Sequence, residues 1–358
     1  MKNKIIISPL IGIGDVLMTT PALEIIKKNR PELEITYCAM SKGIYDVLER
    51  NPNIDNLVYY PFMGKKSLPT LFRFLKEQSC RYSKNLNFYP SNRLHYNIVS
   101  LLTCAPQRIG HTYLRMNFSQ LNWLKNRTIT EDDTLHCVEE NIRLLKFLDI
   151  NVSADSIPPM NIYLNNQEIE SGINYRKSIA PSKCCIGVHA GTSVMKGHAA
   201  RRWSKENFSK VINNVKDAHF LLFGTKEELG ANQFICDNTE PGRVTFVNSK
   251  TIREVAAIIR ACDFFCSNDS GLMHLAAAVA TPVIALIGPT NPLYIKPWKV
   301  THKIISAATP CCHCFKYSPK PLICTSDEKF QCLEEITVEM VEKEIRAFID
   351  SFCLRSIK

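Results

Sequence analysis

Between positions 56 and 127 the chain has one acidic side chain, Glu77, against eleven basic ones: Lys65, Lys66, Arg73, Lys76, Arg81, Lys84, Arg93, Arg108, Arg115, Lys125 and Arg127. The formal net charge of the 358 residues is +10, so this stretch holds the whole excess, and the other 33 basic and 33 acidic residues cancel. A field of one sign concentrates anionic partners such as phosphorylated glycans, anionic lipid surfaces or nucleic acid. An ordinary solvated face reads the same way. Long apolar runs are also missing: nothing reaches the roughly 18 consecutive apolar residues of a membrane-crossing helix. The short run 5–10 is broken by Gly12, Gly14 and Asp15 with no small-residue cleavage site behind it, so it reads as a buried first strand, not a signal peptide.

Low-complexity tracts and short repeats are absent, and 45% hydrophobic with 22% charged residues excludes disorder, collagen and coiled coil. The length suits about two domains. Cysteine, by contrast, is plentiful at fifteen residues. Ten lie singly or in pairs in apparent core segments, as do Cys38, Cys104, Cys262 and Cys266, where a thiol acts as a small hydrophobe. That usage suits a reducing, cytoplasmic setting.

Apolar runs alternating with amphipathic segments are the mark of an α/β chain. Strands are expected at 4–9, 34–39 and 56–60, and helices at 16–29, 42–50 and 136–148. The spacing of Leu68, Leu71, Phe72 and Leu75, with Arg73 and Lys76 among them, predicts a helix with an apolar side for the core and a basic side able to touch a membrane. The Pro-, Asn- and Ser-containing stretch 151–182 reads as a linker or domain edge. A second series follows, with strands at 185–189, 219–223, 244–247, 263–267 and 282–287 and helices at 204–215, 251–260 and 270–279. Two Rossmann-like lobes facing a cleft are therefore expected, over 1–170 and 171–336, with a closing helix in 337–358.

Four motifs carry chemistry. After the first strand, Gly12, Gly14 and Asp15 open a helix whose first amides can hold an anion. The position of a third dinucleotide-type glycine is Leu17, which weakens an NAD reading. Asp15 suits a general base, since a helix start favours the ionised carboxylate, and it equally suits a helix N-cap. The second motif, Asp269, Ser270, Gly271, Leu272 and His274, again passes from strand to helix and suits a pyrophosphate. Third, Thr192, Ser193, Lys196, Arg201 and Arg202 gather hydroxyls and cations after a strand, fit to meet the charge of a departing phosphate. Fourth, Cys311, Cys314, Cys324 and Cys332 offer four thiolates for a structural zinc, although their spacing is that of no familiar finger. A redox pair or plain reduced thiols fit them as well.

Together these segments resemble glycosyltransferase family 9, the bacterial ADP-heptose:lipopolysaccharide heptosyltransferases and their relatives. The resemblance runs from the segment 11–23 through 187–193, the Arg201-Arg202-Trp203 step and 269–278 to Gly288-Pro289-Thr290 and 332–337. It implies a GT-B architecture with the final helix crossing back to the first lobe, and an inverting, metal-independent transfer of a sugar onto a lipopolysaccharide core or related envelope glycan. Asp15 matches the family's general base. Thr192, Ser193, Asp269, Ser270, Gly271, Leu272 and His274 match donor positions, and Glu227 falls near a ribose or base contact. Arg201 stands where relatives commonly carry a phosphate-contacting Lys, which keeps the charge but changes its shape. Gly14, Lys65, Lys66, Arg73 and Arg93 are the expected acceptor contacts.

The implied partners are a nucleotide sugar, ADP-heptose first, and an anionic lipid-linked acceptor at the inner face of the cytoplasmic membrane, reached by a peripheral monomer that binds no nucleic acid. The bare residues agree on one point: there is no Asp-x-Asp triplet to hold a divalent metal on a diphosphate, only the contiguous Glu131-Asp132-Asp133. The competing readings are an NAD-dependent oxidoreductase, which lacks an acidic residue at Cys38-Ala39-Met40, and a non-catalytic nucleotide-sugar-binding protein, which would not need Asp15.

Overall fold

A computed structural model describes residues 3–10, 12–62, 67–181, 183–192, 200–248, 250–316 and 320–353. The chain divides into two units, the first ending at Tyr163 and the second beginning at Leu164. The first unit's sheet is built from β1 (Lys4–Ile7), β2 (Glu34–Ala39), β3 (Asn56–Tyr59), β4 (Lys84–Leu86), β5 (Gln107–Thr112) and β6 (Arg127–Thr130). Its order is β3-β2-β1-β4-β5-β6, all pairs parallel. The second unit repeats that order with β7 (Cys184–His189), β8 (Ala218–Phe223), β9 (Val244–Val247), β10 (Phe264–Asn268), β11 (Val283–Leu286) and β12 (His302–Ile305). In each unit the connections reverse direction beside its first strand, and open α/β sheets bind ligands outside the strand ends at such a point. The loops that carry Asp15, Thr192 and Asp269 leave the central strands β1, β7 and β10.

Burial explains the strands. β7, β8 and β10 are buried at every residue, as strands covered by helices on both faces must be. The second unit's core gathers Ile186, Trp203, Phe220, Phe264 and Ile284 and takes in Val341, Ile345 and Ile349 from the closing helix Val338–Phe348 and the turn after it. Cys353 in that turn is disulfide-bonded to Cys184 at the start of β7, a departure from the all-thiol state expected of a reducing setting.

Several expectations change. The helix expected at 16–29 is two helices, Ile13–Leu17 and Thr20–Asn29, because Pro21 lacks the N–H a continuous helix would use and instead starts the second. The stretch 151–182 is no linker throughout: Asn166–Ile179 is a helix, opened by a reciprocal cap between Asn165 and Glu168. Its Gly172 lies against Ala257 of the helix Ile252–Ala261, where a Cβ would come 2.2 Å from the Ala257 carbonyl oxygen, and Arg253 forks onto Glu168 at 2.6 and 2.9 Å. In the helix Ser67–Gln78 the buried side is Thr70, Phe74 and Gln78, while Leu68 and Phe72 are exposed.

Lys125, counted with the surface cations, is buried, its Nζ donating to Asn122 Oδ1 at 2.5 Å and standing over the Tyr113 ring. Burial pushes its ammonium down to about 7. The unfolded chain binds this proton more readily between pH 7 and 10.5, so stability rises with pH across that window and is lowest below it. Lys125→Met is therefore expected to stabilise the protein at pH 7 by about 4 kcal/mol, an advantage that vanishes above pH ~10.5. Denaturant melts at pH 7 and 9.5 check it; Asn122 Oδ1 keeps the Asn97 amide at 3.0 Å in either case.

Candidate active site

In the first unit, β1 leads through Gly12, the N-cap of the helix Ile13–Leu17, to Asp15 in its first turn. Asp15 is thus not the N-cap that the sequence left open. A Cβ on residue 12 would lie 2.4 Å from Asp15 Oδ2, so the missing side chain is what lets the carboxylate fold over the loop. Gly14 is buried in the same helix. Arg93 is half-buried at the N-cap of the helix Leu94–Leu102, and Arg73 is exposed, donating to the Tyr59 carbonyl at 2.6 Å with its guanidinium over the Tyr60 ring. Lys65 and Lys66 lie outside the described residues.

The second unit assembles a denser group where β7 and β10 end side by side. His189, the last residue of β7, meets Ser270 Oγ through Nδ1 at 2.9 Å and the Glu228 carboxylate through Nε2 at 3.3 Å. Ser270 caps the helix Gly271–Ala278, whose first amides, Gly271 and Leu272, precede its first internal hydrogen bond. Asp269 accepts from Arg201 at 2.6 Å, and the same guanidinium nitrogen reaches Thr290 Oγ1 at 3.4 Å. Arg202 holds the Thr192 carbonyl at 2.7 Å and its hydroxyl at 3.3 Å. Both arginines are placed by Trp203, whose indole is buried against Phe208, donates to the Ile336 carbonyl at 2.7 Å, and whose backbone N–H is taken by Asn268. A buried tryptophan thus holds two cations at the mouth of a helix dipole.

The titrating groups are set by burial and neighbours. Burial drives the His274 imidazole down to about 4, aided by the Arg201 charge and opposed by Asp269, so it is neutral at pH 7. Burial pushes the Glu228 carboxyl up, but the His189 hydrogen bond and charge and the Thr225 backbone bond outweigh it, holding the carboxyl below its ordinary value.

The structure brings Thr192, Arg201, Asp269, Ser270, Gly271, Leu272 and His274 into one region. Ser193 lies outside the described residues. Glu227 is exposed, while its neighbour Glu228 is the buried partner of His189. Sequence reasoning passed over Glu228, although Thr225-x-x-Glu228 has capping-box spacing and folds that carboxylate back onto the end of β8. It also passed over Phe315, whose ring lies 5.9 Å from the Arg201 guanidinium and whose N–H bonds the Pro289 carbonyl. The cysteine-rich segment thereby walls the site. Among the described residues Cys311, Cys314, Cys324 and Cys332 do not gather within 4.8 Å of one another, the convergence a tetrahedral zinc demands; Cys184, Asp263 and Cys353 do, two of them already spent in the disulfide. Cys332 is buried in the second unit's core, and burial first, then the nearby Cys312, Cys314, Cys311 and Cys324, push its thiol up to about 12.

A cation pair, a capped helix start and a neutral buried imidazole can receive a diphosphate, and a carboxylate on the other unit can take a proton. Comparison with known proteins gives the family and the fold. Residues 90–322 match the model of glycosyltransferase family 9 (heptosyltransferase). The chain is 24% identical over 294 residues to lipopolysaccharide heptosyltransferase 3 of Escherichia coli K12, covering 80% of this chain and 82% of that protein. Among solved structures, a glycosyl transferase family 9 protein from Veillonella parvula matches with a TM-score of 0.78 at 22% identity, over 98% of both chains. The E. coli ADP-heptose lps heptosyltransferase II matches with 0.74 at 20%, over 98% of this chain and 99% of that one. They share its fold, the GT-B class of two Rossmann-like units. The oxidoreductase alternative falls away, and the chain is a glycosyltransferase that belongs to glycosyltransferase family 9.

Proposed function

We propose that this enzyme moves a heptose from ADP-heptose onto a lipopolysaccharide core or related envelope glycan, with inversion and without a catalytic metal. The Asp15 carboxylate takes the proton of an acceptor hydroxyl. That oxygen bonds to the anomeric carbon as the bond to the diphosphate breaks, and ADP leaves with the electron pair. Thr192, Ser193, Arg201, Glu227, Asp269, Ser270, Gly271, Leu272 and His274 hold the donor in the second unit, while Gly14, Lys65, Lys66, Arg73 and Arg93 meet the acceptor in the first. The enzyme acts as a peripheral monomer at the inner face of the cytoplasmic membrane. No helix among the described residues is long and apolar enough to cross one.

One observation carries this reading: Arg201 is locked to Asp269 at the start of a capped helix, beside the Ser270–His189–Glu228 chain. A phosphate arriving there meets a guanidinium already aimed and the first amides of a capped helix, so little ordering is left for binding to supply. Calorimetric titration with a series of nucleoside diphosphate sugars is expected to single out ADP-heptose, and Arg201→Gln to weaken it about 10- to 100-fold. Tighter binding of another donor would replace the sugar in this reading. An unchanged affinity in a folded Arg201→Gln protein would move the diphosphate elsewhere.

A further inference from the structure

The helix Leu94–Leu102 is apolar on both sides. Its inner face buries Tyr96 and Val99, yet Leu94, Ile98 and Leu101, spaced four and three residues apart on one outer stripe, are 44%, 37% and 40% exposed. Against this helix sits the segment 113–125, which carries Leu114, Phe118 and Trp123 outward at 54%, 80% and 57% exposure, the two rings stacked 6.5 Å apart. These are not loosely hung side chains. Asn97 donates to the Gln120 carbonyl at 2.6 Å and to Asn122 at 3.0 Å, Gln120 accepts from the Leu94 N–H, and Asn122 donates to Asn92 at 2.6 Å. A buried amide network therefore holds six large apolar groups in water, a cost that a partner must offset.

Charge identifies the partner. From residue 78 to residue 130 there is no Asp or Glu, while Arg81, Lys84, Arg93, Arg108, Arg115, Lys125 and Arg127 lie in that interval. Arg93 caps the apolar helix, and Arg108 is tied to the Leu124 carbonyl at 2.8 Å, so cations stand beside the apolar stripe. Arg115 is shared with Asp133 at 3.7 Å, and Lys125 is buried, which leaves the field to the rest. Aromatic rings and aliphatic side chains bordered by arginines, with no acid in the segment, match the interface of an anionic bilayer: rings at headgroup depth, cations on the phosphates. We propose that this face is where the protein docks on an anionic phospholipid membrane. The proposal deepens the reading that the acceptor is lipid-linked.

Trp123 provides its own reporter, because Trp203 and Trp298 are buried at 2% and 8% exposure. Vesicles of phosphatidylcholine with about a third phosphatidylglycerol are expected to bind the protein, to shift its tryptophan emission to the blue and to expose it to quenching by brominated acyl chains; pure phosphatidylcholine binds far less. Phe118→Ser and Trp123→Ser, both at exposed sites, are each expected to weaken cosedimentation about 10-fold while leaving the melting temperature unchanged. No binding to anionic vesicles, or binding that survives both substitutions, overturns the proposal. So does concentration-dependent self-association in sedimentation that these variants abolish, since the face would then belong to a second copy. The assay contains neither donor nor acceptor, so its failure leaves the sugar-transfer reading standing, and calorimetry with ADP-heptose tests that reading on the same variants.

Discussion

Asp15→Asn is expected to lower the transfer rate by about 1,000-fold while the affinity for the donor, measured by calorimetry, stays within about twofold of the parent. The two side chains have the same shape, so Asn fits the space above Gly12 that the absent Cβ leaves open, and the helix Ile13–Leu17 loses no side-chain cap, since it has none. What disappears is the proton acceptor. Because the proposed donor contacts belong to the second unit, a loss confined to turnover separates base chemistry from binding. A variant that keeps most of its turnover removes Asp15 from the mechanism. Gly12→Ala offers a gentler version of the same test: its methyl meets the end of a flexible carboxylate and no backbone, so the fold should hold while turnover falls as the carboxylate is pushed aside.

Gly191→Ala should do the opposite, harming fold and donor binding together. A methyl carbon at 191 would lie 1.7 Å from Glu228 Oε1, 2.2 Å from its Cδ and 2.8 Å from His189 Nε2. Glu228 is buried and holds His189, Thr225 and, at 3.8 Å, Arg202. Forcing it aside leaves a buried carboxylate with its partners broken, which costs about 3 kcal/mol, or a melting temperature roughly 6 to 12 °C lower. Donor affinity is expected to fall with it, because His189 carries the strain to Ser270 at the helix start. Gly230→Ala is the matched control: nothing lies within 4 Å of a Cβ there, the residue is inside the helix Leu229–Asp237, and alanine should raise stability by up to about 1 kcal/mol. Equal melting temperatures for the two variants would show that the space around Gly191 can relax.

The α/β class, most strands to within a residue or two, and the loops from which Asp15 and Asp269 project were legible in the residues alone. Those features are written locally: β-rich apolar runs, glycines where a turn is tight, Ser204, Thr251 and Ser270 as helix caps. The helix Asn166–Ile179 was hidden because its few apolar residues give it almost no stripe, and what stabilises it is the close approach of Gly172 to a helix some eighty residues away. Which of the adjacent, chemically alike Glu227 and Glu228 faces His189 was not written locally, because it depends on how β7 and β8 lie side by side. Tertiary packing also decided that Lys125 is buried while Phe118 and Trp123 are not. Hydrophobicity sorts residue types by their average preference for water, whereas a folded chain sorts individual side chains by the neighbours that happen to cover them. A cation buried between an amide oxygen and a tyrosine ring, and two aromatic rings left in solvent, are outcomes of packing that composition cannot foresee.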